Sequence, residues 1–161
     1  MSIIAPATLE GWYVLHQMVA LDWTALRGLD AAPRRRLAAA GAALMDALTP
    51  EAGRGWSAAF RLAGGAADLL FVHFRDSVDE ISRVELALRR SRLGAYLTLE
   101  YDFLSVTEAG LYHLTAEVAA EHDPSTEAYH QALAERSAQE GASRYVKARL
   151  YPRGACSSDR S

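Results

Sequence analysis

Cysteine is almost missing from this chain of 161 residues: Cys156 is the single thiol. One thiol excludes an internal disulfide and a zinc site built from cysteines, so the core and the backbone hydrogen bonds must hold the fold. Long apolar runs are missing too. None approaches the roughly 18 residues of a membrane span, and the opening MSIIAPATLEG has neither a basic n-region nor a long apolar segment. Together these predict a cytoplasmic protein without a membrane partner. Positive charge is not in excess: 17 Lys and Arg stand against 20 Asp and Glu, a net charge of -3. Without a basic field to neutralise phosphates, nucleic acid is not expected as a partner. Gly64-Gly65 is not followed by the Gly-Lys-Ser/Thr of a phosphate loop. His113, His122 and His130 lack the close helical spacing of a metal pair, with Pro124 interrupting, so no metal site is expected. No serine-histidine-aspartate or cysteine-histidine order stands out.

What is present is a folding pattern. Half the residues are hydrophobic and 23% charged, enough for one domain burying roughly 70% of its unfolded surface. The central stretch is Leu97–His113, in which Leu97, Leu99, Tyr101 and Phe103 alternate with Thr98, Glu100 and Asp102 at the two-residue period of a strand. Gly11–Leu21 alternates in the same way and is apolar on both faces, which suits the inside of a sheet. Asp22–Asp30 reads as a connector, and Pro33–Leu48 as an amphipathic helix with Arg34, Arg35 and Arg36 outward. Trp56–Leu62 and Asp68–Arg75 form a hairpin around Gly64-Gly65. Ser77-x-x-Glu80 opens a second helix carrying Ile81, Val84 and Leu88.

The order strand, helix, strand, strand, helix, strand predicts an α+β fold: a ferredoxin-like, dimeric α/β-barrel type, four-stranded antiparallel sheet with helices on one face. A mixed face carrying Leu15, Leu70, Val72, Phe74, Leu104 and Val106 is expected to seek a partner. Residues 1–112 form the ferredoxin-like domain, and 113–143 a helical excursion with helices over Tyr112–Glu121 and from Pro124 to about Gln139. Residues 144–161 read as an extended interdomain linker and a truncated tail. His16 and His73, each among apolar neighbours, read as core or interface histidines, and Trp12, Trp23 and Trp56 as anchors.

Four blocks carry a resemblance: TLEGWYVLHQMVALDWTAL (8–26), ADLLFVHFR (67–75), YDFLSVTEAGLY (101–112) and VKARLYP (146–152). In order and spacing they resemble the chlorite dismutase-like superfamily, most of all its coproheme decarboxylase branch. The resemblance implies a peroxide-dependent oxidoreductase of haem biosynthesis that oxidatively decarboxylates iron coproporphyrin III to haem b. It further implies two ferredoxin-like halves in one chain and assembly as a homopentamer. Its axial histidine and radical-forming tyrosine belong to the part after the Leu-Tyr-Pro motif, so the chain is expected to be an amino-terminal half with no catalytic residue of its own. Arg149 then corresponds to a propionate-binding arginine, Lys147 stands beside it, and Tyr112 matches a tyrosine near the porphyrin. In an extended linker Lys147 and Arg149 would point the same way. A second reading stays open, a non-catalytic ferredoxin-like binding or assembly module acting as a homo-oligomer.

Overall fold

Alternation and helical periodicity translate directly into elements in the computed structural model, which describes residues 7–154; Cys156 and the tail from Ala155 lie outside it. Strand β1 spans Thr8–Leu21, a short helix α1 Trp23–Arg27, α2 Ala31–Ala47, β2 Gly55–Arg61, β3 Leu69–Arg75 and α3 Val78–Arg90. A 3-10 turn, Gly94–Tyr96, leads into β4, Leu97–Gly110. The helices α4 (Tyr112–Glu121), α5 (Glu127–Gly141) and α6 (Arg144–Leu150) follow. The sheet order is β2-β3-β1-β4, with β3 antiparallel to both β1 and β2. This is the expected ferredoxin-like sheet.

The described residues divide into two units. One contains Trp12–Ser105 with Arg153 and Gly154; the other contains the chain up to Gly11 with Val106–Pro152. In the sheet-bearing unit, Leu15 pairs with His73, Gln17 with Phe71 and Val19 with Leu69. Directly opposed residues of an antiparallel pair share a face, and this face packs Val19 and Phe71 against Leu88 of α3, with Leu44, Met45, Leu69, Leu93 and Leu97 around them. Burying Val19, Phe71 and Leu88 contributes about 1.5–3 kcal/mol each, and the half-buried side chains around them contribute less. Val14, His16 and Met18 pair with Phe74, Val72 and Leu70 and so occupy the second face. The expected grouping of Leu15 with Leu70, Val72 and Phe74 is therefore corrected: the register sets Leu15 with His73, on the face below the helices.

Local signals explain most boundaries. Ser77 accepts from the Glu80 backbone N–H at 3.3 Å, and Ile81, Val84 and Leu88 are the buried stripe of α3. The expected connector contains α1 because the Asp22 side chain accepts from the Ala25 N–H at 2.9 Å and caps a short helix. Gly64 and Gly65, at φ of 83° and 86°, make the β2–β3 turn.

In the other unit, Ala109, Val146 and Leu150 form a core with Leu9 against it. Val118 of α4 and Tyr129 of α5 are buried, and Arg136 pairs with Glu121 between these helices. Two expectations are corrected here. Pro124 does not enter α5: Asp123 accepts from the Ser125 N–H at 2.9 Å, a local turn that keeps Pro124 outside, and Thr126 caps the helix three residues later. Residues 144–150 are not extended. Ser143 accepts from the Val146 N–H at 3.2 Å, and Val146 and Leu150 bury one side of a seven-residue helix.

Candidate functional site

Three of the sequence blocks meet at one point. Thr107 of β4 donates its hydroxyl to the Leu150 carbonyl at 2.7 Å, fixing the end of α6. Gly11 of β1 lies against the same carbonyl: a Cβ there would collide with the Leu150 oxygen and stand 2.5 Å from Thr107 Oγ1. No side chain fits, so glycine is what lets the three segments close up. With Val146 and Leu150 buried against Ala109, α6 is pinned along one side and open along the other.

That open side carries the expected cations. Lys147 and Arg149 are exposed, and neither makes an ion pair or side-chain hydrogen bond among the described residues. Two residues apart on a helix, they stand roughly 200° apart rather than pointing together, which corrects the paired arrangement an extended linker would give. Arg149 instead shares its flank with Tyr145, four residues earlier and 71% exposed. Lys147 shares the opposite flank with Arg144. Tyr145 was missed in the sequence because its spacing to Arg149 has meaning only once the segment is helical.

Tyr112 opens α4 and is 68% exposed. Its ring lies over Gly110, where a Cβ would come within 2.5 Å of ring Cε2. Backbone anchoring holds this corner: the Leu111 N–H donates to the Ala7 carbonyl at 2.9 Å, and Thr115 Oγ1 accepts from the Ala7 N–H at 3.0 Å while donating to the Leu111 carbonyl at 2.8 Å. Among the described residues no hydrogen bond joins Tyr112 to Arg149 or Lys147. Helical spacing therefore sets Arg149 on the flank of Tyr145, and among the described residues no hydrogen bond joins Lys147 or Tyr112 to either.

The two core histidines lie in the sheet-bearing unit. His16 is half-buried and stacks on Phe103, ring centroids 4.2 Å apart at 10°, and burial lowers its pKa. His73 is fully buried, with Nδ1 2.8 Å from Ser57 Oγ. Burial, reinforced by the charge of Arg75, pushes its pKa down to about 3. Such a histidine is neutral and enclosed. On α6 the planar fork of Arg149 is of the kind that can pair with a carboxylate in two parallel hydrogen bonds.

The family model for chlorite dismutase matches residues 34–154. A Halobacterium salinarum protein named as a candidate heme-binding protein is 41% identical over 112 residues, covering 67% of this chain and 22% of its own length. Another of that name from Haloarcula marismortui is 30% identical over 149 residues, covering 91% and 20%. A solved structure described as a novel heme-binding protein from Thermus thermophilus superposes with a TM-score of 0.70 at 30% identity, covering 93% of this chain and 52% of that one. A variant chlorite dismutase of Candidatus Nitrospira defluvii shares the fold, with a TM-score of 0.56 at 18% identity over 74% of this chain and 52% of its own. The chain thus spans about a fifth of the curated relatives and half of the solved structures. By the match across most of its length, the chain belongs to the chlorite dismutase family.

Proposed function

We propose that this chain supplies the carboxylate-pairing part of a porphyrin site, in a protein that decarboxylates iron coproporphyrin III to haem b with peroxide. The supporting observation is Arg149: an exposed guanidinium without an internal partner among the described residues, on a helix whose end is fixed by the Thr107 hydroxyl. Its fork suits a propionate in two parallel hydrogen bonds, with Tyr145 alongside to cover the edge of a flat ring. Lys147, on the opposite flank, adds a longer-range charge at most. Tyr112 is the aromatic candidate at the neighbouring helix start. The heme-binding names of the relatives support a porphyrin ligand, and the iron porphyrin, when bound, brings the redox chemistry. The chain's own residues bind and orient. A homopentameric, cytoplasmic enzyme is the assembly this reading entails.

The test is a Soret-band titration of the purified chain with iron coproporphyrin III at low and high salt. Binding should weaken as salt rises, and Arg149→Ala should lose about tenfold or more in affinity, since a hydrogen bond to a charged group contributes about 1.5–3 kcal/mol. Lys147→Ala should lose less. The tetramethyl ester, which lacks carboxylates, should bind wild type and Arg149→Ala alike. Equal affinity of wild type and Arg149→Ala for the free acid, with unchanged melting temperature, would overturn the assignment.

A further inference from the structure

The sheet-bearing unit holds a second feature, independent of α6 and of the porphyrin reading. Between α2 and the turn after α3 lies a cleft of about 380 Å³, within the range of about 300–1,000 Å³ typical of small-molecule sites. Arg36, from the second turn of α2, and Arg92, just after α3, stand in its wall. Leu29, Pro33 and Leu37 line one side, and Ala95 and Tyr96 the other. We propose that this cleft binds a small organic anion, a carboxylate or phosphate group carried on an apolar body.

The charge pattern carries the inference. In a chain of net charge -3, the lining of this cleft holds two guanidinium groups and no acid. Arg54 pairs with Asp76, Arg83 with Glu80 and Arg89 with Glu85, and Arg34 and Arg75 donate to backbone carbonyls; Arg27, Arg35, Arg61 and Arg90 are unpaired among the described residues but do not line this cleft. Arg36 and Arg92 have no such partner among the described residues. Two cations lining one cleft favour an anion there, and a guanidinium pairs best with a planar carboxylate or a phosphate. The cleft between α3 and β4, about 420 Å³, is lined by Asp102 and by Glu85, which is paired with Arg89, and its lining holds no cation for the same ligand.

The walls are preformed. Arg34 donates to the Leu29 carbonyl at 2.8 Å, and the Asp22 N–H donates to the Tyr96 carbonyl at 2.9 Å. Ser91 accepts from the Gly94 N–H at 3.0 Å and donates to the Leu88 carbonyl at 2.7 Å, fixing the turn that carries Arg92 at the end of α3. These bonds fix the backbone that carries both arginines, which favours affinity. The apolar sides add selectivity, because a bare inorganic ion leaves them in contact with water.

Phenyl phosphate, 3-phenylpropionate, inorganic phosphate and benzyl alcohol are the probes, titrated into the isotopically labelled chain and followed by amide and arginine Nε–H NMR shifts. Phenyl phosphate, 3-phenylpropionate or both should move the signals of residues 29–37 and 92–96; which of the two binds more tightly identifies the anionic group. Inorganic phosphate and benzyl alcohol should each bind at least about tenfold more weakly than the better probe, since each forfeits one of the two contacts. Arg36→Gln with Arg92→Gln should remove the response while leaving the melting temperature unchanged; Leu37→Asp, which keeps both arginines, should weaken it as well. Shifts that persist in the double variant, inorganic phosphate equal to both organic anions, or no shift with any probe at millimolar concentration would each overturn the proposal.

Discussion

Arg75 is a cation with 3% of its surface exposed, and it meets carbonyl dipoles in place of a carboxylate. Its guanidinium donates to the Trp56 carbonyl at 2.9 Å, to the Phe74 carbonyl at 2.6 Å, to Ser57 Oγ at 2.7 Å, and to the carbonyl of Leu48, which caps α2. A positive charge at a helix C-terminus is stabilising by about 0.3–2 kcal/mol. Burial keeps His73 neutral, reinforced by the charge of this same cation. With a folded pKa of about 3 against an ordinary 6.5, His73 binds a proton in the unfolded chain before it does so in the folded one. Stability is therefore complete above pH 6.5 and declines as the pH falls from there toward 3, at up to about 1.4 kcal/mol per pH unit. Denaturant unfolding at pH 7.5 and pH 5 should show wild type losing about 2 kcal/mol more than His73→Gln over that interval. The same loss in both would mean that His73 does not set the acid sensitivity. The two-residue period of a strand puts Phe71, His73 and Arg75 of β3 on one face. Their partner Ser57 could not be found the same way, because only the β2–β3 register opposes it to His73.

Among the elements, α6 shows where local pattern stops being enough. The strands were legible because apolar residues at every second position leave no other way to bury one side, and α3 was legible because Ser77 and Glu80 announce its start. In 143–150 the helical signals were present but short: Ser143 at the cap, and Val146 and Leu150 four apart. A helix this brief is marginal alone, and here Val146 and Leu150 pack with Leu9 and Ala109 while the Thr107 hydroxyl holds its last carbonyl. That dependence is testable. Gly11→Ala places a methyl where the Leu150 oxygen and Thr107 Oγ1 already stand, so it should displace the end of α6. Thr107→Val removes the hydroxyl that the Leu150 carbonyl accepts from, costing about 1 kcal/mol. In hydrogen exchange, the α6 amides, including the Tyr151 N–H donated to the Lys147 carbonyl at 2.9 Å, should lose protection in both variants. The amides of α3 should keep theirs. Unchanged protection of α6 would show that it folds without this contact, and Arg149 would then lack a fixed position.

At the level of the whole molecule, no helix among the described residues is long and apolar enough to cross a membrane, and several large apolar side chains are exposed. The largest supply lies on β4, an edge of the sheet. Leu99, Tyr101, Phe103 and Leu104 are 43%, 59%, 39% and 49% exposed. An edge strand offers unpaired N–H and C=O groups along one side, and edges that stay alone usually carry charge or proline to discourage pairing. Here Glu100 and Asp102 are the only charges among these residues, and no proline interrupts them. The second face adds Phe60, 48% exposed, while Gly154 lies over Trp56, where a Cβ would come within 3.1 Å of its ring. Exposed apolar patches beyond a few hundred Å² are rare on lone monomers. We expect the chain to self-associate through β4, and sedimentation at micromolar concentration is the measurement. Tyr101→Lys with Leu104→Lys adds one charge on each side of the strand and should return the chain to monomer without lowering its melting temperature, since both residues are exposed. A wild-type chain that sediments as a stable monomer would sink this expectation and, with it, the homo-oligomeric reading; an associated chain indifferent to both lysines would move the interface away from β4.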